Sequence, residues 1–479
     1  MPFISQTMGY IFLTIFGISM ILITYFFSKW KNHQTKEQFL VANRQVGWFM
    51  GGSSIAASWL WAPALFISVQ LAYEKGLAGI FWFTLPNIIA LAIFALLAPR
   101  IRTLFPDGYT LPQYINKKLQ SKKVHNVYLF PYFFYQIMAI TVQLFAGGSL
   151  VSLLTGIPLV AVMPMLAIIA LIYTLISGLK ASIITDFVQL AMIFIIGAII
   201  LPMTWKVGGG FSTIRAGFMG IENIKHIFDP GVAFSFGIVT AIGLIAGAIS
   251  DQQYWQRTFA IKKNQLVKAF LFGALLFGIV PIALSTLGFL AVNPELNITL
   301  PTGIDASMIG VQTVATLLPS WAVFLFVIML LSGLSSTLDS GLSAASSLWV
   351  TDIKKLKDDE KAIKSARYAM ISVTLLGLVI AYAVYLIPQF GLFHLWWIFN
   401  TIAACVVVPT ILSLYWERLD ARGVFWGVLT AFIVGLPLFI YGNIIEKPVW
   451  IVSSSLFIIA ISTVFCLAMP QKNTLTAIE

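Results

Sequence analysis

Residues 332–347 read SGLSSTLDSGLSAASS, a concentration of hydroxyl groups around one carboxylate inside an apolar run. Ser336, Asp339, Ser340 and Ser343 recur at spacings of three and four, which places them on one face of a helix. Ser and Thr also glue membrane helices together, which accounts for two or three of them but less well for this cluster. A hard cation such as sodium seeks several oxygen ligands, as other hard cations do. This face offers hydroxyls and a carboxylate, with no softer ligand among them. Asp339 lies about one turn from the centre of its apolar run, where a carboxylate costs several kcal/mol unless it pairs, binds a cation or takes a proton. Asp186 and Asp251 also fall on or against apolar runs, and for each the plainer reading is a carboxylate snorkelling at a helix end.

The second anomaly is 46–73, VGWFMGGSSIAASWLWAPALFISVQLAY. Gly51, Gly52 and the Ser53-Ser54 pair weaken a helix there, and Pro63 removes the backbone hydrogen bond to residue 59. The Trp59 carbonyl is thereby freed near Ala56, deep in an apolar segment. Unwound backbone at that depth is tolerated where it lines a cavity or a site, and broken helices carry such sites in transporters. A kink used purely for packing is the competing reading. Enzymatic chemistry finds no support: His33, His125, His226 and His394 lie in loops or at helix ends, without a nucleophile–base pair. Cys405 and Cys466 sit in apolar runs, so neither a disulfide framework nor a metal quartet is expected.

The elements that position these groups follow from composition. The 479 residues are 59% hydrophobic and 10% charged, with a mean hydropathy of +0.92. A soluble domain needs roughly 25% charged residues to wet its surface. A soluble enzyme, a nucleic-acid binder and a disordered chain are excluded. A window of about 20 apolar residues gives thirteen spans, near 7–28, 46–73, 77–98, 127–154, 158–177, 183–204, 232–251, 266–292, 319–350, 367–387, 393–416, 423–442 and 449–469.

With the N-terminus outside and the C-terminus inside, 24 of the 29 Lys and Arg fall in cytoplasmic segments and every one lies at or beyond a helix end. The net charge of +11 then faces acidic headgroups in the cell membrane. The partners expected are the lipid bilayer and a small polar solute, with no nucleic acid and no obligatory protein partner.

Tyr173-Thr174-Leu175-Ile176-Ser177-Gly178-Leu179-Lys180-Ala181, followed by Thr185-Asp186-Phe187-Val188-Gln189, resembles the Y-T-x-x-G-G-L-x-A and T-D-x-x-Q signature of the sodium:solute symporters, with Ser177 in place of the first Gly. Asp251-Gln252 with Gln256-Arg257, Ser336-Thr337 with Asp352, and Pro409 through Tyr415-Trp416 follow in the family's order. The match runs along nearly the whole chain. It implies an all-α LeuT-type core, with five helices in 46–204, an outer loop 205–231 and five inverted helices in 232–416. A peripheral helix and loop (1–45) precede the core, and two helices with a short tail (417–479) follow.

The resemblance further implies sodium as coupling ion, held by carbonyls of Ala56, Trp59 and Gly333 and hydroxyls of Ser336 and Thr337. A second cation site of some members corresponds to Asp186, Asp339 and Ser340. Asp339 departs from the Ser or Thr usual there, so a second sodium or a proton both stay open. Sugar-carrying members have a Glu where Phe83 stands, which argues against a sugar. Trp59-Leu60-Trp61-Ala62-Pro63-Ala64-Leu65 and Gly79-Ile80-Phe81-Trp82-Phe83 look like stretches of the urea-type branch. Ser58, Trp61, Trp82, Phe83 and Gln136 are the candidate substrate contacts. A sodium-coupled carrier of an amino acid or a monocarboxylate is the alternative, and a receptor on a transporter fold the alternative class.

Overall fold

The computed structural model describes residues 3–28, 35–387 and 391–471, with the side chain of Ser177 outside that description. Lys29, Lys31, His33 and Lys472 also lie outside the described residues. Helices account for the described architecture. In chain order they are α1 (Gln6–Ser28), α2 (Lys36–Val41), α3 (Trp48–Trp59), α4 (Pro63–Leu104), α5 (Leu111–Leu119), α6 (Lys122–Thr155), α7 (Leu159–Val207) and α8 (Pro230–Ser250). There follow α9 (Gln252–Ala260), α10 (Lys263–Ala291), α11 (Ala306–Leu317), α12 (Ser320–Ile353), α13 (Asp359–Tyr385), α14 (Leu392–Tyr415), α15 (Ala421–Ile444) and α16 (Pro448–Ala468).

Among the described residues, twelve helical segments are long and apolar enough to cross a membrane. The thirteen spans expected from sequence differ from this in continuity. α3 has 12 residues, too few to span, and its pass is completed by the first part of α4. The 42 residues of α4 would reach about 63 Å if straight, twice the hydrocarbon thickness. They turn back at Gly76 (φ 59°, ψ −141°). A Cβ on Gly79 would strike the Leu71 carbonyl, which a straight helix would hold about 12 Å away. Gly178 (φ 62°, ψ −152°) divides the 49 residues of α7 in the same way. Both turns need a positive φ that a residue with a Cβ resists.

The packing is reciprocal. α3 lies against α10, and α8 against the α4 helix; α6 packs on α12; α7 packs on α12, and α14 on α6. Segments that the charge count assigned to one side also meet at one end of the bundle. Lys36 bonds to Leu356 and Asp359, Arg44 to Gly108, Arg102 to Phe259, and Lys118 to Ser413. At the other end Lys75 pairs with Glu222, Ile221 bonds to Tyr73, and Asp305 holds Leu392. One basic residue breaks the pattern read from sequence. Arg257, counted in a basic loop at a helix end, lies on α9, whose nine residues are all buried.

Candidate functional site

The centre of the molecule is where α3 stops. Leu60 leaves the helical region (φ −81°, ψ 55°), and its N–H still reaches the Ala56 carbonyl at 3.0 Å and the Ala57 carbonyl at 3.1 Å. Pro63 has no N–H, and the Ala62 N–H turns away to donate to Gln143 Oε1 at 2.9 Å. The Trp59 carbonyl therefore loses both backbone donors that would follow it in a continuous helix. α12 approaches this point because Gly333 lacks a Cβ, which would sit 2.8 Å from the Leu60 carbonyl and 2.7 Å from Leu65 Cδ1. Thr337 Oγ1 shares its one hydrogen between the Ser58 carbonyl at 3.2 Å and the Gly333 carbonyl at 3.4 Å. Carbonyls of α3 and hydroxyls of α12 thus share one junction. The donor set is all oxygen, as a hard cation such as sodium requires. A hydroxyl that donates its hydrogen keeps its lone pairs for such an ion.

Beside this junction lies a cluster of buried charge. Asp186 accepts from Ser54 and Ser336 hydroxyls at 2.5 Å each and from Arg257 Nη2 at 2.8 Å. Arg257 also donates from Nε to Ser54 Oγ (2.8 Å), and from Nη2 to Ser340 Oγ (2.6 Å). Asp339 accepts from Ser182 (2.7 Å), Thr185 (3.3 Å) and Ser340 (3.3 Å). Asp186, Asp339 and Arg257 are each fully buried. One guanidinium thus serves two carboxylates among the described residues of the cluster. Ionising both acids leaves a net negative charge in a low-dielectric interior, which a proton or a further cation offsets.

Arg257 is there because α9 is a polar helix folded inward. Asp251 caps its start by accepting the Gln253 N–H at 2.9 Å. Gln252 Nε2 reaches Ser347 and the Tyr109 carbonyl, and Gln256 Nε2 the Leu40 carbonyl and Ser343. Each bond replaces water lost on burial.

Around the break the polar groups are arranged differently. Trp61 stacks on Trp59 (ring centroids 5.3 Å apart, 27° between planes) and meets Phe399 edge-on at 5.2 Å. Its indole Nε1 is buried and has no hydrogen-bond partner. Gln143 commits its oxygen to the Ala62 N–H, while its Nε2 is buried without a partner. Tyr135 packs edge-on against Phe399 at 5.0 Å and points its hydroxyl at Asn400 Oδ1, 3.5 Å away. The result is an aromatic wall with neutral N–H donors left open.

Residues 39–431 match the sodium:solute symporter family. The chain belongs to that family. It is 24% identical over 384 residues to a probable urea active transporter of Schizosaccharomyces pombe, covering 74% of this chain and 57% of that protein. It is 22% identical to a urea-proton symporter of Oryza sativa subsp. japonica, covering 92% of this chain and 66% of the relative. The chain spans about three fifths of the length of these two relatives. A solved structure of a Na+-coupled sialic acid symporter superposes with a TM-score of 0.75 at 18% identity, covering 97% of this chain and 98% of that one. The fold is therefore the LeuT-type fold, and the protein a multi-pass membrane protein.

Within this fold, Gly333 and Thr337 meet the end of α3 through the Leu60 and Ser58 carbonyls, Ala56 and Trp59 lie on that last turn of α3, and Ser336 is turned to Asp186. Asp186, Asp339 and Ser340 also come together, but with the Arg257 guanidinium against Asp186 and Ser340. Of the candidate substrate contacts, Trp61 stands at the break. Ser58 bonds to its own helix at the Ser54 carbonyl (2.7 Å). Gln136 Nε2 holds Asp251 at 3.0 Å and its oxygen faces Gln253, which places it towards α9. Trp82 lies near the loop of residues 205–231, with Nε1 on the Ile227 carbonyl at 3.2 Å. Phe83 is buried against Trp396 at 5.6 Å. Sequence reasoning missed Gln143, which follows Gln136 by two helical turns on the same face of α6. It also gave Arg257 no role, although the residue stood in a recognised motif.

Proposed function

We propose that this protein is a secondary active symporter carrying a small, neutral, flat polar solute of the urea kind by alternating access. The observation that carries the reading is the pair of open donors at the break, Trp61 Nε1 and Gln143 Nε2, beside stacked aromatic rings. A urea carbonyl is an acceptor for such donors, and its planar body fits an aromatic face. The groups named around the break are neutral, which favours a neutral solute over an amino acid or a monocarboxylate. The urea transporters among the relatives point the same way.

The coupling ion in this reading is sodium at the α3–α12 junction, held by Ala56, Trp59, Gly333, Ser336 and Thr337. A proton on Asp339 acts beside it in place of a second sodium. A second sodium would share its space with a fixed guanidinium, whereas a proton adds one charge without a coordination shell. Asp186 and Ser340 then hold Arg257 as the permanent counter-charge. The N-terminus faces outward, so the basic end of the bundle lies in the cytoplasm.

Radiolabelled urea uptake into proteoliposomes tests this, with an inward sodium gradient, an inward proton gradient, or both. The expected result is concentrative uptake that needs sodium and rises when the outside is made acid. Urea entry no faster than into empty liposomes removes the solute assignment. Accumulation without sodium removes the coupling ion.

A further inference from the structure

At the basic end of the bundle lies a cavity of about 310 Å³ that has no part in the transport site. Its lining comes from four separate stretches of chain: Lys36 on α2, Gln113 and Asn116 on α5, His125 on α6, and Thr351, Asp352, Lys355, Leu356 and Lys357 at the end of α12 and just beyond. The floor is a closed polar unit. His125 Nε2 lies 2.8 Å from Asp352 Oδ1, the Thr110 hydroxyl donates to Oδ2 at 2.7 Å, and the Thr351 hydroxyl shares its one hydrogen between Oδ2 and the Ser347 carbonyl, each at 2.8 Å. The His125 and Asp352 side chains are 5% and 0% exposed. Asp352 therefore has its oxygens occupied before any ligand arrives, although the motif that contains it gave it no role.

The walls offer donors. Lys36, Lys355 and Lys357 bring three ammonium groups. Lys36 Nζ spends one hydrogen on the Leu356 carbonyl at 2.6 Å and lies 4.9 Å from the Tyr109 ring centre. Gln113 gives its oxygen to the Tyr109 N–H at 3.2 Å, which leaves its NH2 as the group it can present. Asp359 is engaged by the Lys36 backbone N–H at 2.8 Å. Burial pulls the Lys36 ammonium below its usual lysine range, against the opposing pull of Asp359 and Asp352. A bound anion would relieve that burial cost. Compact ammonium charges on three flexible stems, supplemented by neutral amide donors, suit a small anion with several acceptor oxygens.

We propose that this cavity binds a phosphomonoester group, from either a lipid headgroup or a soluble phosphate, and so ties α2, α5 and α6 to the end of α12. The site is independent of the solute and coupling ion proposed above, and its test needs no transport.

The full chain is purified and reconstituted in phosphatidylcholine nanodiscs, and thermal unfolding is followed in potassium salts, which keeps sodium out of the experiment. One arm titrates potassium phosphate against potassium chloride of equal ionic strength. The other replaces part of the phosphatidylcholine with phosphatidic acid and adds no phosphate. The expected result is a saturable rise in midpoint on the order of 2 °C in at least one arm. Response to phosphate identifies a soluble source, and response to phosphatidic acid alone identifies a headgroup. Lys355 and Lys357 are exposed, so the double variant Lys355→Gln, Lys357→Gln should fold as the parent does and need at least tenfold more ligand. Asn116→Ala, on the opposite wall, should weaken the response by a smaller factor, and Lys364→Gln, outside the cavity, should not. No saturable rise in either arm, or an undiminished response in the double variant, overturns the proposal.

Discussion

The break at Leu60–Ala62 and the Asp186–Arg257–Asp339 cluster share α12 as a wall, yet they handle polar groups in opposite ways. At the break, neutral donors on Trp61 and Gln143 stand without partners. In the cluster, each carboxylate accepts three hydrogen bonds, from serines, a threonine and a guanidinium. The difference follows from charge. An open neutral N–H costs on the order of 1–3 kcal/mol when buried, a cost that a hydrogen-bonding ligand can offset. An unpaired buried charge costs several kcal/mol, so the protein closes it with its own residues. In the function proposed above, the open region receives the solute and the closed one changes its proton.

Arg257→Gln gives the sharpest contrast and the largest expected effect. It leaves two buried carboxylates without their guanidinium, a loss of about 3–5 kcal/mol, read as a lower melting temperature and poor recovery of folded protein. Adding Asp186→Asn should restore part of that loss. A single variant that melts like the parent would show that the cluster is not held by charge compensation.

The double variant Ser336→Ala, Thr337→Ala comes next. It removes two of the five proposed oxygen ligands, and half-saturating sodium for uptake should rise at least tenfold, about 1.4 kcal/mol. Unchanged sodium affinity in proteoliposomes would detach the junction from ion binding.

Trp61→Phe probes the open region directly. It deletes an indole N–H that has no protein partner, so solute affinity should fall by about 1 kcal/mol, roughly fivefold, while the melting temperature holds. A fall in stability with unaltered affinity would make Trp61 a packing residue, and the two regions would then no longer differ.

Asp339→Asn should have the smallest effect on stability, under about 1 kcal/mol, because the amide is nearly the same shape and can still accept hydrogen bonds. Its signature is in coupling: uptake loses its dependence on external pH while the sodium Hill coefficient stays as in the parent. A lowered Hill coefficient with intact pH dependence would replace the proton with a second sodium.

What the sequence determined by itself were properties that are local along the chain. Hydropathy over a 20-residue window is such a property, and so are the excess of Lys and Arg between particular spans and the Pro63 that frees the Trp59 carbonyl. The hydroxyl face of α12 was legible too, since helical periodicity puts Ser336, Asp339, Ser340 and Ser343 on one side. Periodicity names a face but not what looks at it. Arg257 and Asp186 are 71 residues apart, and their 2.8 Å contact exists because α9 folds inward.

A nine-residue helix with three glutamines and an arginine reads as a loop, because its burial is repaid by partners on α2, α3, α6, α7 and α12 and at Tyr109 that no window contains. The reversals at Gly76 and Gly178 were hidden for the related reason that a single residue with positive φ leaves the apolar pattern on both sides unchanged. The open donors of Trp61 and Gln143 lie furthest from the sequence. A lack of partners is a statement about every neighbour at once, and tertiary packing alone decides which neighbours there are.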